Sequence, residues 1–359
     1  MKEDCANSDG GIRGGWRKNA ARSAVAVLLL LLAVEGYAFL TCRGNNSPLP
    51  PLFGNFERIR NVLTARGGSE DFSFIAVGDL HGMGSFEGLA KRIRHLQPDF
   101  VVLLGDCVSD GSDDAHLHFR AEIPEYRFTC PVFYVVGNHD VDAERFTLEK
   151  FERTYGPSMF SFEFRNCLFI VLRSIGDEAA TREAIAFLQQ YDRERLARYR
   201  HTFVFLHVPP PISPTIRCLE ATEGGKLRDA LEDLGIEYVF AGHYHGYGRV
   251  DRGHTRYIVT GGGGARPDTR PSPQFHHAVQ IIVTSGRVEE RVVPGEEYVD
   301  IEDTLERAAF VHFLPFTRAH TLVVVALNLV AVGLLVSIGA GWLRGWCATH
   351  RARDDGCMR

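Results

Sequence analysis

The sequence predicts an α/β protein, with one large α/β domain and a transmembrane helix at each end. Two long apolar runs, at residues 24–42 and 321–343, approach the roughly 20 residues that a helix needs to cross a bilayer core. Between them, short β-rich apolar runs alternate with stretches of helical periodicity, which is the pattern of an α/β fold. We therefore predict a two-pass membrane protein whose folded domain lies between its spans.

The composition is that of a globular protein. Apolar residues make up 45% and charged residues 24% of the chain, which excludes collagen-like and disordered proteins. The eight cysteines include no C-x-x-C pair, so the sequence indicates neither a zinc ribbon nor a disulfide framework. Acidic residues outnumber basic ones by 45 to 40, which argues against a nucleic-acid-binding protein. We expect no nucleic-acid partner.

The first apolar run is the weaker of the two predicted spans, because Glu35 is a charge within it. Its basic flank also fits a cleaved signal peptide, and this alternative stays open although no small-x-small cleavage site ends the run. The second run contains no charge, and Trp342 stands where an interfacial anchor is expected. A buried core helix is the alternative reading of this second run.

Basic residues outside the two runs predict the orientation of the chain. Both tails are expected in the cytoplasm, because basic residues flank the two runs on their outer sides: Arg13, Arg17, Lys18 and Arg22 before the first, and Arg344, Arg351, Arg353 and Arg359 after the second. The middle domain is then extracytoplasmic. The excess of arginine over lysine favours a bacterial inner membrane with a periplasmic domain, and an organelle lumen is the alternative.

The folded domain is predicted at residues 72–293, between a linker at 43–71 and a juxtamembrane segment at 294–320. Continuous apolar runs predict its buried strands. These strands are Phe72–Val77, Phe100–Leu104, Val132–Val136, Thr202–Leu206 and Glu237–Ala241. Helices are expected at 85–96, 179–199 and 225–234, and a hairpin is expected to turn through Arg165 and Asn166.

Each of the five predicted strands ends in side chains that can bind a metal ion or transfer a proton. In chain order they are Asp79 and His81, Asp106, Asn138 with His139 and Asp140, His207, and His243 with His245. Taken singly, each motif is as consistent with a turn or a core histidine. Because ligands gather at the carboxyl ends of strands in α/β sheets, we expect all five loops to converge on one site.

These ordered motifs, D-x-H, G-D, G-N-H-D, H and G-H-x-H, resemble those of the calcineurin-like metallophosphoesterase superfamily. The resemblance covers about residues 72–292 and implies a two-sheet β-sandwich flanked by helices, with two bound metal ions. It implies two ligand sets that share Asp106. One set is Asp79, His81, Asp106 and His245, and the other is Asp106, Asn138, His207 and His243.

The resemblance also implies roles for the two residues that follow Asn138. His139 is expected to contact the substrate phosphate and to donate a proton to the leaving oxygen, with Asp140 holding its other ring nitrogen. A Gly-rich turn, Gly261–Gly264, is expected to border the site, and Arg266 after it is a candidate phosphate contact, although a solvated side chain is the more common outcome.

The donor set of carboxylate, imidazole and amide groups suits divalent Mn, Fe or Zn. The tyrosine ligand of purple acid phosphatases is replaced by Ser109, so no coloured ferric centre is expected. We predict a metal-dependent phosphoric ester hydrolase that attacks a mono- or diester with a metal-activated hydroxide. Membrane lipid lies beside the anchored domain, so lipid-linked phosphates are candidate substrates. Two alternatives stay open: a non-catalytic scaffold of this fold, and a sensor that binds a phosphate ligand without turnover.

Overall fold

The computed structural model describes residues 22–37, 48–81, 86–219, 221–269, 272–295, 301, 304–305 and 308–356. The chain divides into two compact units. The smaller one contains Met1–Gly44 and His312–Arg359, and the larger one is Asn45–Val311.

The smaller unit holds the two apolar runs as helices. Helix α1 covers residues 22–37, α9 is Leu314–Ala319 and α10 is Thr321–Gly356. Within α10, Thr321–Arg344 is long and apolar enough to cross a membrane, and it is the one candidate span among the described residues. As described, α1 is shorter than a span requires, and residues 38–42 of the predicted span lie outside the described part of the chain. Of the two predicted spans, the structure thus supports the C-terminal one.

The larger unit is built from seven helices and eleven strands within its described residues. The helices are α2 (Glu57–Thr64), α3 (Phe86–Leu96), α4 (Asp113–Glu122), α5 (Leu148–Tyr155), α6 (Glu178–Leu188), α7 (Arg193–Leu196) and α8 (Ala221–Leu234). The strands are β1 (Phe72–Val77), β2 (Phe100–Leu103), β3 (Val132–Tyr134), β4 (Phe160–Phe164), β5 (Cys167–Val171), β6 (His201–Phe205), β7 (Tyr238–Ala241), β8 (Tyr247–Arg252), β9 (Thr255–Thr260), β10 (His277–Val283) and β11 (Val288–Pro294). A π-helical turn, Ala308–Phe313, follows.

The strands form two sheets, which confirms the two-sheet α/β prediction. The first sheet has the order β11-β10-β1-β2-β3, and the second has the order β4-β5-β6-β7-β9-β8. Strands β1, β2 and β3 run parallel, as do β5, β6, β7 and β9. The remaining pairs are antiparallel. In each sheet the parallel strands therefore present their carboxyl ends on one side.

Aromatic side chains fill the space between the sheets. Phe74 on β1 stacks on Phe100 with ring centroids 5.0 Å apart, and Phe169 of the facing sheet stacks on Phe203 at the same distance. Phe74 and Phe203 meet edge to face at 5.3 Å across the layer. Such offset and edge contacts add to the hydrophobic gain of burying large rings. This core explains why the predicted strands are continuously apolar.

Two predicted elements differ in detail from the structure. The helix expected at 179–199 is broken, because the Asp192 side chain accepts a hydrogen bond from the Arg195 amide and starts the separate helix α7. The hairpin forms as expected. Arg165 and Asn166 both have positive φ, at 50° and 56°, which is the geometry of the two-residue turns that suit twisted hairpins.

Residues 52–63, assigned to a linker from the sequence, pack on the larger unit. Gly54 donates its amide to Val132 O at 2.9 Å, and the Val132 amide donates to Leu52 O at 2.8 Å. The Asn55 side chain, which is fully buried, continues this pairing: its Nδ2 donates to Tyr134 O at 2.7 Å and its Oδ1 accepts from the Tyr134 amide at 2.9 Å. This stretch therefore extends the first sheet alongside β3.

Candidate metal centre

The predicted site residues follow the carboxyl ends of five parallel strands, and their backbone is unusual there. Asp79, His81, Asp106 and His243 all have positive φ, between 51° and 66°. Non-glycine residues rarely adopt this region, and such conformations cluster at functional sites where the surrounding structure enforces them. Here the strand-end turns bring the side chains back over the sheet edge.

The first ligand group contains Asp79, His81 and His245, whose candidate ligand atoms lie within 4.8 Å of one another. Asp79 Oδ1 is 3.4 Å from His245 Nε2. The other carboxylate oxygen, Asp79 Oδ2, accepts the His243 amide at 2.8 Å. One oxygen of Asp79 is thus held by backbone while the other faces the imidazoles.

The second ligand group contains Asp106, His207 and His243, also within 4.8 Å. Asp106 Oδ2 lies 3.1 Å from His207 Nε2 and 3.9 Å from His81 Nε2 of the first group. Asn138 Oδ1 approaches His207 Nε2 to 3.0 Å. Asp106 is therefore placed between the two groups, where a carboxylate shared by two ions is expected.

The imidazoles are oriented by backbone carbonyl oxygens. His207 Nδ1 is 2.7 Å from Leu104 O, and His245 Nδ1 is 3.1 Å from Arg266 O. Each Nδ1–H donates to its carbonyl, which leaves Nε2 directed into the site. A hydrogen bond of this kind fixes the tautomer and the ring orientation of a metal-binding histidine.

Two buried polar atoms without hydrogen-bond partners show that the first ligand group fits a metal ion. Among the described residues, neither Asp79 Oδ1 nor His81 Nε2 has a hydrogen-bond partner, and both are inaccessible to solvent. Asp79 Oδ1 has His245 Nε2 3.4 Å away but accepts no hydrogen bond from it. Burying a carboxylate oxygen without a hydrogen bond costs several kcal/mol, so a cation is expected to compensate it. Burial also lowers the pKa of His81 and of His243 to about 4. Both rings are therefore neutral at pH 7, as ligands must be.

Asp106 and His207 shift each other's pKa in opposite directions. Burial by itself would raise the pKa of Asp106, but the charge and hydrogen bond of His207 outweigh it and hold that pKa well below its usual range. Burial would likewise lower the pKa of His207, yet Asp106 raises it to about 9. His207 would have to lose its proton to hold a metal ion here, because imidazole binds metal in its neutral form.

Two glycines permit the loops after β2 and β3 to lie close together. Gly105 has φ of 92°, and a Cβ there would lie 2.6 Å from His207 Nδ1. A Cβ at Gly137 would collide with Asp106 Oδ1. Both positions precede a predicted ligand, so the glycines of the G-D and G-N-H-D motifs allow the loops after β2 and β3 to approach each other.

His139 lies beside the two ligand groups with an accessible ring. Its backbone amide donates to Asp106 Oδ1 at 2.8 Å, and its Nδ1 is 2.9 Å from Ser109 O. His139 also forms a third group with His81 and Asp106 within 4.8 Å. The ring therefore stands at the mouth of the site, with Nε2 available to a bound molecule.

The expectation that Asp140 would hold the His139 ring is wrong. Ser109 O occupies that position, while the Asp140 carboxylate is fully buried and accepts backbone amides, including those of Asp106 at 2.8 Å and Gly137 at 2.7 Å. Burial and the neighbouring charge of Asp106 raise the pKa of Asp140 to about 6. Asp140 thus binds the backbone of the loops after β2 and β3 and not the His139 ring.

The Gly-rich turn borders the site, as expected, through its backbone. The Gly263 amide donates to Gly78 O at 2.8 Å and the Ala265 amide donates to Asp79 O at 2.7 Å. Arg266 contacts the site through its carbonyl oxygen, which accepts from His245.

Residues 72–247 match the family model of the calcineurin-like phosphoesterases. This stretch is a calcineurin-like phosphoesterase domain. Serine/threonine-protein phosphatase CPPED1 of Bos taurus is 27% identical over 235 residues, which are 58% of this chain and 72% of that protein. A "Probable cyclic nucleotide phosphodiesterase" of Moraxella catarrhalis is 30% identical over 106 residues, covering 27% of this chain and 38% of that protein. A crystal structure of a dimetal phosphatase from Danio rerio aligns with a TM-score of 0.44 at 16% identity, over 63% of this chain and 99% of that one.

The fold of the calcineurin-like phosphoesterase domain and its candidate ligand groups imply divalent metal ions. Every side chain predicted as a ligand lies in or against the three groups. The sequence analysis missed residues behind the site, notably His116 and Tyr134, which contact Asp140. No sequence signal marks them, because a tyrosine in an apolar strand and a histidine on a short helix are typical core residues.

Proposed function

We propose that this chain is a membrane-anchored phosphoesterase that hydrolyses a phosphate mono- or diester with two divalent metal ions. The observation that supports it best is the position of Asp106. Its carboxylate groups with His207 and His243 on one side and with His81, a member of the Asp79 group, on the other. Asp79, His81, Asp106 and His245 would hold one ion, and Asp106, Asn138, His207 and His243 the other. A divalent pair supplies charge neutralisation and a nucleophile at neutral pH.

The side chains of the domain supply the remaining chemistry. The carboxylates of Asp79 and Asp106, both buried, provide negative charge to bind cations next to the phosphate. His139 is held by Ser109 O through Nδ1, so when it is also protonated at Nε2 it can give that proton to the leaving oxygen. Asp106 is buried, and electrostatic interactions of a buried charge are stronger than those of a charge in water.

The names of two relatives support both ester classes as substrates. One is called a serine/threonine-protein phosphatase and acts by its name on a monoester, whereas the other is called a "Probable cyclic nucleotide phosphodiesterase", whose name refers to a diester. We propose that lipid-linked phosphates are included, since the candidate span Thr321–Arg344 would tie the domain to a membrane.

The assay compares p-nitrophenyl phosphate with bis(p-nitrophenyl) phosphate, using the full chain in detergent with Mn²⁺. We expect turnover of at least one ester that disappears with chelator and returns with Mn²⁺, and no turnover in Asp79→Asn, which lacks the buried charge. Full metal binding without turnover of either ester would contradict the enzyme and favour the scaffold or the sensor. Phospholipid and glycolipid extracts then test whether the substrate is a lipid.

The N-terminal helix is proposed as a second span on the strength of one contact. Asn328 Nδ2 on α10 donates to Glu35 Oε2 on α1 at 2.6 Å. Glu35 is the one charge in the first apolar run and Asn328 the one carboxamide in the second. Large apolar side chains on both helices are exposed, such as Leu30 at 64% and Leu322 at 86%, as expected for a surface that faces lipid. Polar side chains in membranes pair across helices in this way.

Replacing both Glu35 and Asn328 by Leu tests this pairing. In a double-mutant cycle in mixed micelles, we expect a coupling energy of about 1 kcal/mol, because each single replacement leaves one polar group unpaired. The free energy of unfolding is measured by tryptophan fluorescence. This signal reports on the smaller unit alone, since all three tryptophans, Trp16, Trp342 and Trp346, belong to it.

The control cycle combines Glu35→Leu with Ser337→Ala. Ser337 Oγ donates to Gly333 O of its own helix, so additive effects are expected. Zero coupling between Glu35 and Asn328, or a mature protein that begins after residue 42, would contradict the second span. With two spans and basic tails inside, the domain is extracytoplasmic. In spheroplasts, from which the outer membrane has been removed, a domain that protease digests only after the inner membrane is also opened would contradict this orientation.

A further inference from the structure

The Asp140 carboxylate joins the two loops that carry the shared ligand. Its oxygens accept hydrogen bonds from four backbone amides and one hydroxyl. The donors are the amides of Asp106 at 2.8 Å, Cys107 at 2.9 Å, Val108 at 3.3 Å and Gly137 at 2.7 Å, and Tyr134 Oη at 2.6 Å. Three of these amides belong to the loop after β2, and Gly137 belongs to the loop after β3. The position of Asp106 relative to Asn138 therefore depends on how Asp140 is held.

Tyr134 holds the Asp140 side chain. It is the last residue of β3, is fully buried, and directs its hydroxyl at Asp140 Oδ1. Its own backbone is fixed on both sides by the Asn55 side chain, through the Tyr134 amide and carbonyl. A buried tyrosine hydroxyl with one strong acceptor has little freedom to move, so it fixes the carboxylate plane.

His116 holds the Asp140 backbone. The ring lies on helix α4 and is fully buried, with Nε2 at 2.8 Å from Asp140 O and Nδ1 at 3.0 Å from Tyr155 Oη. Phe146 stacks on it with ring centroids 3.6 Å apart. Burial lowers the pKa of His116 to about 4. The neutral ring therefore donates from Nε2 to Asp140 O and accepts at Nδ1 from Tyr155.

We propose that Tyr134 and His116 are positioning residues of the metal centre, which act through Asp140 to set the separation of the loops after β2 and β3. Neither side chain is one of the candidate ligands. Their hydrogen bonds determine whether Asp106 reaches both ligand groups at once. Groups behind a metal site typically change metal affinity 10- to 100-fold when they are removed.

The inference rests on the proposed metal centre, so its test measures metal binding and not turnover alone. Tyr134→Phe removes one hydroxyl and keeps the ring packing. On the full chain in detergent, calorimetric titration with Mn²⁺ is expected to show affinity about 10-fold weaker at one or both sites. Turnover is expected to fall at low Mn²⁺ and to recover at saturating Mn²⁺.

Tyr191→Phe is the matched control. Tyr191 is also buried, and its hydroxyl donates to Ser161 Oγ at 2.8 Å, with no connection to Asp140. We expect this variant to lower the melting temperature about as much as Tyr134→Phe while Mn²⁺ affinity stays at the wild-type value. Equal Mn²⁺ affinity in the two variants would overturn the positioning role.

His116 is tested by rescue. His116→Leu removes the donor to Asp140 O and should weaken Mn²⁺ binding about 10-fold, whereas His116→Gln retains a donor near the Nε2 position and should restore most of the affinity. If Gln is no better than Leu, the hydrogen bond to Asp140 is not what His116 provides. If wild-type protein binds no Mn²⁺, the proposed function fails instead, and the two failures are thereby distinguished.

Discussion

Asp106→Asn is expected to lower turnover by about 10³-fold or more, because several kcal/mol of charge stabilisation are lost with the shared carboxylate. The amide keeps the size of the side chain, and its oxygen can still accept the His139 amide. The variant nevertheless lacks the negative charge that lies 3.1 Å from His207. We expect at least one of two ions to be lost. Turnover of p-nitrophenyl esters and metal content by mass spectrometry measure the two effects.

Asp110→Asn is the matched control for this replacement. Asp110 lies on the same loop, but its carboxylate is exposed and pairs with Arg145 at 3.4 Å. Exposed pairs of this kind contribute about 0–1 kcal/mol, so turnover and metal content should stay near wild type. Retention of two ions and of full turnover in Asp106→Asn would refute the shared-carboxylate site.

His139→Ala is expected to lower turnover by about 10²- to 10⁴-fold while the metal content is unchanged. The ring touches Ser109 O and faces the mouth of the site, whereas the contact of residue 139 with Asp106 is made by the backbone amide, which alanine retains. Replacing the His139 ring is therefore expected to affect proton transfer without affecting ion binding. Initial rates at saturating Mn²⁺, together with metal content, provide the measurement.

His95→Ala serves as the control for His139→Ala, since His95 is exposed on helix α3. It should leave both turnover and metal content unchanged. Wild-type turnover in His139→Ala would remove the residue from the mechanism, and loss of metal in the same variant would make it a ligand instead of a proton donor.

The fold was predictable where hydrophobic patterning is decisive. Continuous apolar runs located five of the seven parallel strands, β1, β2, β3, β6 and β7, to within one or two residues of their ends, because both faces of these strands are buried. Helices α4 and α5 escaped prediction since they are short and are started by local caps. Ser112 accepts the Ala115 amide and Thr147 accepts the Lys150 amide. Such caps look like ordinary polar loop residues until the chain is folded.

The site was predictable because its residues follow the ends of strands. Ligand side chains at strand ends converge in any parallel sheet, so their order along the chain located the cluster. The role that the family resemblance implied for Asp140 was wrong, because a motif does not show which way a side chain points, and the Asp140 carboxylate points to backbone amides. Its partners Tyr134 and His116 are joined to it by tertiary contacts alone, and both resemble core residues in the sequence.

Strand β3 is the last strand of its sheet, and residues 52–55 occupy the side that would otherwise be open. Unpaired strand edges are templates for association with other chains. The motif and strand patterns suggest residue 72 as the domain boundary. A shortened chain that begins there would leave Val132 and Tyr134 on an unpaired strand edge and would favour aggregation. A soluble form of the domain should therefore retain the stretch from residue 48 onward, which acts as built-in protection against self-association.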